Sequence, residues 1–288
     1  MGITVPTPIK WTGSVYLGRK TTIEAEVEFT GRSDCRESAQ SGGLVVHGST
    51  VKEKITQTKG SHVLEDSEIT SFKMKNGSSG FIRSSTITSL SVEENCLSSV
   101  CKLTSDDILV SQSIFDFKYS TLKNLLAHSS QTSFRSCNLK ENAGFSSTDV
   151  TMSSVNAKKI GLNDSFLRIY KGRVSALSGN NSHLFATASA LASVGMTDNS
   201  TSDLRGCSMT SCSNGSSSSM YVSSCSPINI GNSGDLLEMN ARARMIALDC
   251  MTVIHQAPQT SLAGNLYIDG NILVEGRSVV LGCCWCAC

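Results

Sequence analysis

The side chains in this chain best suited to chemistry are the clustered thiols of its last residues. Cys283 and Cys286 have the spacing of a metal-binding or redox pair, but a structural zinc site needs a second pair at a defined distance. Clustered terminal thiols are also lipidation substrates, which would allow association with a membrane. They could equally form inter-subunit disulfides, pack within an assembly, or lie in a tail with no chemical role. The candidates for assembly or modification are Cys283, Cys284, Trp285, Cys286, Cys288, Leu281 and Val279.

The remaining reactive side chains do not form a catalytic pattern. None of the five histidines is at ligand spacing from another. Polysaccharide-cleaving enzymes of the parallel β-helix class use acids projected from successive coils, but the residues one repeat from Asp106 are not acidic. No nucleophile elbow or phosphate-binding glycine loop is present. The sequence therefore predicts no catalytic residue, no metal site and no cofactor, and a protein that is not an enzyme.

An internal repeat organises the chain and must position any site. Residues 64–74 nearly repeat as residues 82–92, with small polar and apolar residues at matching places. A small residue marks this register at Ser49, Ser67, Ser85, Ser120, Cys137, Ser153, Gly172, Ser189, Cys207 and Cys225, with Leu103 out of phase. The local alternation has the period of a strand, and a repeat of this length is typical of solenoids. We therefore predict an all-β fold, a single-stranded right-handed parallel β-helix with coils of about 18 residues.

The chain reads as one continuous solenoid with three parts. Residues 1–41 form N-terminal strands and a cap, residues 42–240 form the coils, and residues 241–288 form the last coils and the cysteine-rich tail. We expect a longer loop to bulge outward near residues 96–107. Residues 241–256 allow either a short helix or another pair of strands.

Composition limits the choice of function. The 288 residues carry a formal net charge of +1, with 17% charged and 39% hydrophobic residues. Such a near-neutral chain lacks the basic footprint of a nucleic-acid-binding protein, so we expect no nucleic-acid partner. The absence of a secretory signal pattern or an apolar span predicts a cytoplasmic protein with reduced thiols, unless secretion follows a signal-independent route.

One stretch resembles a known family. The alternating, glycine-punctuated residues 264–276 are similar to the repeats of bactofilins, the polymer-forming bacterial cytoskeletal proteins, and residues 13–18 and 43–48 have the same character. The similarity covers about a fifth of the chain, and the serine- and cysteine-rich middle coils depart from the family pattern. The resemblance implies a right-handed β-helix that polymerises end to end without nucleotide.

These observations favour a non-enzymatic structural protein whose partner is itself. We expect terminal β-helix coils to associate end to end into filaments or a lattice, because an apolar, uncapped sheet end is a template for strand addition. Two further hypotheses are a binding or effector module anchored through the C-terminal cysteines and a carbohydrate-active β-helix protein.

Overall fold

A computed structural model describes residues 9–12, 15–18, 21–30, 43–214, 219–223, 228–230, 237–248, 252–254, 260–269, 272–274, 279–281 and 285–286. Side chains are described as far as Cys212, with the exceptions of Thr12 and Ser211. The chain divides into two compact units, residues 1–143 and 144–288, and each is considered by itself.

The first unit consists of short strands that alternate between two parallel sheets. Its strands are β1 (Ile9–Thr12), β2 (Val15–Leu17), β3 (Thr22–Ile23), β4 (Val27–Thr30), β5 (Leu44–His47), β6 (Thr50–Thr58), β7 (Ser61–Glu65), β8 (Glu68–Lys75), β9 (Ser79–Arg83), β10 (Thr86–Val92), β11 (Leu97–Cys101), β12 (Thr104–Ser111), β13 (Ile114–Lys118), β14 (Thr121–His128) and β15 (Gln131–Arg135). Sheet A has the order β1-β4-β6-β8-β10-β12-β14, with β3 also on β6, and sheet B has the order β2-β5-β7-β9-β11-β13-β15.

The second unit continues the same alternation after strand β16 (Asn138–Ser146), which contains the division. Its strands are β17 (Asp149–Ser153), β18 (Asn156–Asn163), β19 (Phe166–Tyr170), β20 (Arg173–Asn180), β21 (His183–Thr187), β22 (Ala190–Thr197), β23 (Thr201–Arg205), β24 (Ser208–Asn214), β25 (Ser219–Ser223), β26 (Ile228–Ile230), β27 (Leu237–Leu248), β28 (Thr252–Ile254), β29 (Thr260–Asp269), β30 (Ile272–Val274), β31 (Val279–Leu281) and β32 (Trp285–Cys286). Even-numbered strands from β18 to β30 form sheet A; odd-numbered strands from β17 to β31 form sheet B, with β32 also on β29.

The predicted fold class is confirmed: the chain is an all-β parallel solenoid, and its described residues contain no helix. Two strands occupy each coil, one in each sheet. From Leu44 to Cys212 the length of the coil varies by one residue, since Ser61 lies beside Ser79 but Leu97 lies beside Ile114. Coils nearer the ends are longer, since Val15 lies beside Leu44 and Ser219 lies beside Arg244. The right-handed sense of the coil stays a prediction.

A thin core lies between the two sheets. In sheet B of the first unit, the inward side chains of Leu64, Ile82, Val100, Phe117 and Phe134 come from successive coils and are at most 2% exposed. The rings of Phe117 and Phe134 stack with their centroids 5.1 Å apart. This distance is close to the spacing of adjacent strands, so a repeated aromatic residue packs on its own copy. The alternating pattern therefore builds the core without any helix.

Buried hydroxyl groups hold the corners where the chain passes from one sheet to the other. The Ser120 hydroxyl donates to the carbonyl of Lys118 at 2.9 Å and accepts the amide N–H of Leu103, one coil earlier, at 3.2 Å. Backbone groups at a corner leave the sheet ladder, and a buried backbone group without a partner is costly. The hydroxyl therefore joins one coil to the next at the place where the ladder is interrupted.

The residues at these corners form two columns, one at each corner of the coil, and most of their members carry a hydroxyl group. We call them the corner ladders. The first contains Ser49, Ser67, Ser85, Leu103, Ser120 and Cys137 in the first unit, and Val155, Gly172, Ser189 and Cys207 in the second. The second, which sequence reasoning missed, contains Ser78, Cys96, Ser113 and Ser130 in the first unit, and Thr148, Ser165, Ser182 and Ser200 in the second.

The register prediction needs two corrections. Leu103 is in phase and occupies the first corner ladder, because the repeat becomes one residue shorter there instead of bulging. The predicted loop at residues 96–107 is therefore wrong, since strands β11 and β12 fill most of it. Val155, not Ser153, continues the ladder, and it is 1% exposed. Cys225 lies outside the described residues.

The residue before each ladder position has a left-handed backbone. Tyr119, Lys171 and Ala188 have φ values of 52°, 51° and 50°, and each directly precedes a ladder residue. One such residue, or two in succession as at Glu94 and Asn95, turns the chain through the corner. The conformation places the Cβ atom unfavourably for most amino acids. The frequent Ser, Asn and Asp residues at these corners follow from the same constraint, since short polar side chains tolerate it best.

Near the C-terminus, the structure decides between the two interpretations of residues 241–256. The chain forms strands β27 and β28 there, so the predicted helix is wrong. The predicted division after residue 240 lies within β27, and the predicted division after residue 41 lies outside the described residues.

Replacing a corner serine should destabilise the fold more than replacing a surface serine. The Ser189 hydroxyl accepts the Gly172 N–H at 3.1 Å and donates to the Thr187 carbonyl at 2.9 Å. We expect Ser189→Ala to lower the free energy of unfolding by about 2 kcal/mol, because the buried Gly172 N–H loses its acceptor. Ser193→Ala, at an exposed position of the same coil, should change the free energy of unfolding by no more than about 0.5 kcal/mol. Urea unfolding of both variants measures the difference. Equal losses would contradict the role of the ladder.

Branched side chains should be excluded from the left-handed corners. Ala188 is exposed, so a larger side chain there has room among its neighbours, and its cost comes from the left-handed backbone. We expect Ala188→Val to cost about 2 kcal/mol and Ala188→Gly to be near neutral, because glycine relieves strain but adds freedom to the unfolded chain. Ala192→Val, at an exposed strand position, is the control and should be neutral or slightly stabilising. Thermal unfolding of the three variants measures the order.

Candidate assembly site at the sheet edges

The outermost strands of the first unit are β1 in sheet A and β2 in sheet B. Within the described residues, β1 pairs only with β4 and β2 pairs only with β5. The Ile9 N–H donates to the Glu26 carbonyl at 2.8 Å, and the Val15 N–H donates to the Gly43 carbonyl at 3.0 Å. Each strand is therefore bonded along one side.

The outermost strands of the second unit contain four of the residues predicted for assembly. Val279 and Leu281 lie in β31, which pairs with the first half of β29, and Trp285 and Cys286 lie in β32, which pairs with its second half. The described backbone thus brings these four residues to one edge of sheet B. Nothing is described of their side chains. Cys283, Cys284 and Cys288 lie outside the described residues.

The two kinds of edge are chemically complementary. All described strand pairs are parallel. The free N–H and C=O groups along the open side of one edge strand therefore match those along the open side of a strand at the opposite kind of edge. An open strand edge is a template for another strand. A strand edge of the first unit and one of the second unit could therefore pair between two copies of the chain with no change in strand direction.

Three of the described cysteines, Cys96, Cys137 and Cys207, occupy buried positions in the corner ladders. Cys137 and Cys207 occupy corner-ladder positions, and their sulfur atoms lie 3.3 Å and 3.5 Å from the carbonyl oxygens of Arg135 and Arg205. Burial raises the pKa of the Cys96 and Cys137 thiols. A raised pKa lowers the thiolate fraction, and the thiolate is the reactive form. These thiols act as small buried side chains in place of serine.

His62 is buried in the core of the first unit, away from solvent. Its Nε2 atom lies 3.3 Å from the Ser98 hydroxyl, and its ring meets Phe72 edge to face at 5.4 Å. Gly80 lies between the coils of His62 and Ser98, where an added Cβ atom would come within 2.0 Å of the His62 carbonyl oxygen. Burial lowers the pKa of His62 to about 3, so the imidazole is neutral at physiological pH.

Asp107 and Glu93, each from a pair of adjacent acidic residues in the first unit, bind polar or basic side chains. The Asn124 side-chain amide donates to Asp107 at 3.0 Å, and the Lys73 ammonium lies 2.8 Å from Glu93, which lowers the pKa of that carboxyl group. Among the described residues, no group of three or more His, Cys, Asp and Glu side chains could hold a metal ion. In the same part of the chain, no helix is long and apolar enough to cross a membrane.

Comparison with known proteins adds no identity to this picture. No protein family model, curated protein or solved structure matches the chain.

Sequence reasoning missed the side chains that the coils present to solvent. On sheet B of the first unit, Leu97 and Ile114 are adjacent on neighbouring coils and are 55% and 50% exposed. Phe81 lies one coil below, and is 62% exposed. The sequence shows Leu97 and Ile114 as apolar residues one repeat apart. Recognising them as exposed requires knowing which residues of each strand point outward.

Acidification should destabilise the chain through His62. The folded state holds this imidazole neutral down to a pKa of about 3, while the unfolded chain takes up a proton near the ordinary value of 6.5. The free energy of unfolding should therefore fall as pH drops between these values, by up to about 1.4 kcal/mol per pH unit. His62→Leu should flatten that part of the pH profile, whereas the exposed-site variant His128→Asn should keep it. Parallel profiles for wild type and His62→Leu would contradict the buried neutral imidazole.

Proposed function

We propose that this chain is a non-enzymatic structural protein whose copies add end to end through the edges of their sheets. The observation that carries the proposal is that, within the described residues, β1, β2, β30, β31 and β32 are each bonded along one side only. A strand from a second copy can continue each ladder. This mode of recognition uses main-chain hydrogen bonds for affinity.

The geometry of such a contact favours open growth. The edge in the second unit of one copy would meet the edge in the first unit of the next, which is a head-to-tail contact between different surfaces. Head-to-tail contacts give filaments when the rotation between copies does not close a ring. The formal net charge of +1 keeps repulsion between copies small.

The side-chain chemistry near these edges is consistent with the same interpretation. Val279, Leu281 and Trp285 are apolar residues on the outermost strands of sheet B. A neighbour that removes apolar surface from water stabilises the contact. The resemblance of residues 264–276 to bactofilin repeats supports polymerisation without nucleotide. Cys286, together with the cysteines around it, could lock a contact that the strands have already formed.

Electron microscopy of the purified chain tests the proposal. We expect filaments in negative stain and a large pelletable fraction on ultracentrifugation. Leu281→Lys should reduce the pelletable fraction about tenfold at a fixed concentration, because a charge at the edge costs more than about 1.4 kcal/mol per contact. Leu109→Lys is the matched control, since Leu109 is an exposed leucine in the interior strand β12 and should leave assembly unchanged.

Two results would contradict the proposal. One is a wild-type chain that sediments as a monomer at high concentration. The other is equal assembly of Leu281→Lys and Leu109→Lys when circular dichroism shows both variants folded. Repeating the assay with reductant separates contacts that need a disulfide bond from contacts made by strands alone, because only filaments that need the disulfide come apart when it is reduced.

A further inference from the structure

A second surface of interest lies on sheet B of the second unit, on the outward side of strands β19, β21 and β23. Aromatic and charged side chains alternate there. The Arg168 guanidinium lies over the Phe166 ring at 4.1 Å, and the Arg205 guanidinium lies 5.5 Å from the centroid of Phe185. Planar groups are therefore held against each other on a flat strand surface. We call this surface the Tyr170 face, after its most exposed aromatic residue.

Both guanidinium groups of the Tyr170 face are neutralised by carboxylates. Arg168 donates from Nη1 to Asp149 at 2.8 Å. Arg205 makes a two-point contact with Asp203, from Nε at 2.9 Å and from Nη2 at 2.7 Å. These contacts use only part of the hydrogen-bonding capacity of each group, since a guanidinium has further donors and a carboxylate has further acceptor positions. The two Arg–Asp pairs therefore offer oriented donors and acceptors whose charges balance.

Tyr170 stands above small neighbours. Its ring is 48% exposed, and its partners on the coils to either side are Ser153 and Thr187. The Lys171 ammonium lies 5.1 Å from the ring centroid. Because Arg168 is two residues earlier on the same strand, it projects from the same side of the sheet at a distance of about 7 Å. A ring for stacking and a paired guanidinium for hydrogen bonding thus lie within the span of one ligand unit.

We propose that the Tyr170 face binds an uncharged glycan. The apolar C–H surface of a sugar ring would stack on Tyr170, and the sugar hydroxyls, which both donate and accept, would bond to the two Arg–Asp pairs. The face is flat, whereas small-molecule sites are usually concave, so the ligand is a chain of sugars that makes several contacts. This binding is independent of end-to-end assembly.

The charge balance decides against two other partners. Single-stranded nucleic acid also stacks on aromatic rings, but it needs a groove with excess positive charge to neutralise its phosphates. Asp149 and Asp203 cancel the charges of Arg168 and Arg205, so this face carries the single ammonium group of Lys171 rather than a run of positive charge. An apolar protein surface would remove water from these ion pairs without replacing its hydrogen bonds, which is costly. A polyhydroxyl ligand replaces those hydrogen bonds.

Affinity electrophoresis of the full chain tests the proposal, with protein taken from the supernatant after ultracentrifugation so that filaments are excluded. Native gels would contain soluble neutral polysaccharides, one per gel: hydroxyethyl cellulose, arabinoxylan, galactomannan, laminarin and dextran. We expect at least one to retard the wild-type chain. Tyr170→Ser should weaken that retardation about tenfold, which is the size of one aromatic stacking contact. The control is Phe81→Ser, since Phe81 is 62% exposed on β9, an interior strand of sheet B in the first unit.

Folding and binding can be separated. Tyr170 is on the surface, so Tyr170→Ser should keep its thermal unfolding transition, and Arg168→Gln provides a second variant that should also lose retardation. A chain that none of the polysaccharides retards overturns the proposal, as does equal retardation of wild type and both variants. Retardation by a dT20 oligonucleotide in place of the polysaccharides, with loss in moderate salt, would assign the face to nucleic acid and overturn it as well.

Discussion

The structure depends on the hydrogen bonds made by buried hydroxyl groups at the corners of the coil. A parallel sheet satisfies its backbone between neighbouring strands, but a chain that turns from one sheet into the next must leave that ladder at every corner. Hydroxyls such as those of Ser120 and Ser189 accept an amide N–H from the coil before and donate to a carbonyl two residues back. Where a hydroxyl closes the corner in this way, the turn uses one or two left-handed residues, and coils that differ in length by one residue can stack.

This device explains the unusual composition. The interior between the sheets is narrow, so few apolar side chains per coil suffice, and serine takes the corner positions because it is small and carries a hydroxyl. Cys137 and Cys207 fit the same positions with longer and weaker contacts. Packing thus accounts for the buried cysteines of the described coils, whereas Cys101 is half-buried on the outward side of β11. The terminal cysteines are a separate question about assembly.

The same device separates structure from function. Inward positions and corners are constrained by packing and hydrogen bonding, whereas outward positions on the strands are free to vary. The exposed apolar residues of the first unit and the Arg–aromatic pairs of the second unit both occupy outward positions. Strand edges form a third surface, defined by the backbone. A solenoid of this kind can therefore assemble through its edges and recognise a ligand on a flank without competition between the two.

Sequence alone determined the solenoid, because a repeat of about 18 residues with strand alternation has few other physical solutions. It also indicated the five serines of the first corner ladder, Ser49, Ser67, Ser85, Ser120 and Ser189, because each is a small polar residue close to one repeat from the next marker. Sequence could not place Leu103 or Val155, because neither is a small polar residue and the repeat shortens by one residue after Leu103, which only the paired strands show. Nor could it find the second corner ladder or the Tyr170 face. Both consist of residues from successive coils, and they become neighbours only when the coils are stacked in register.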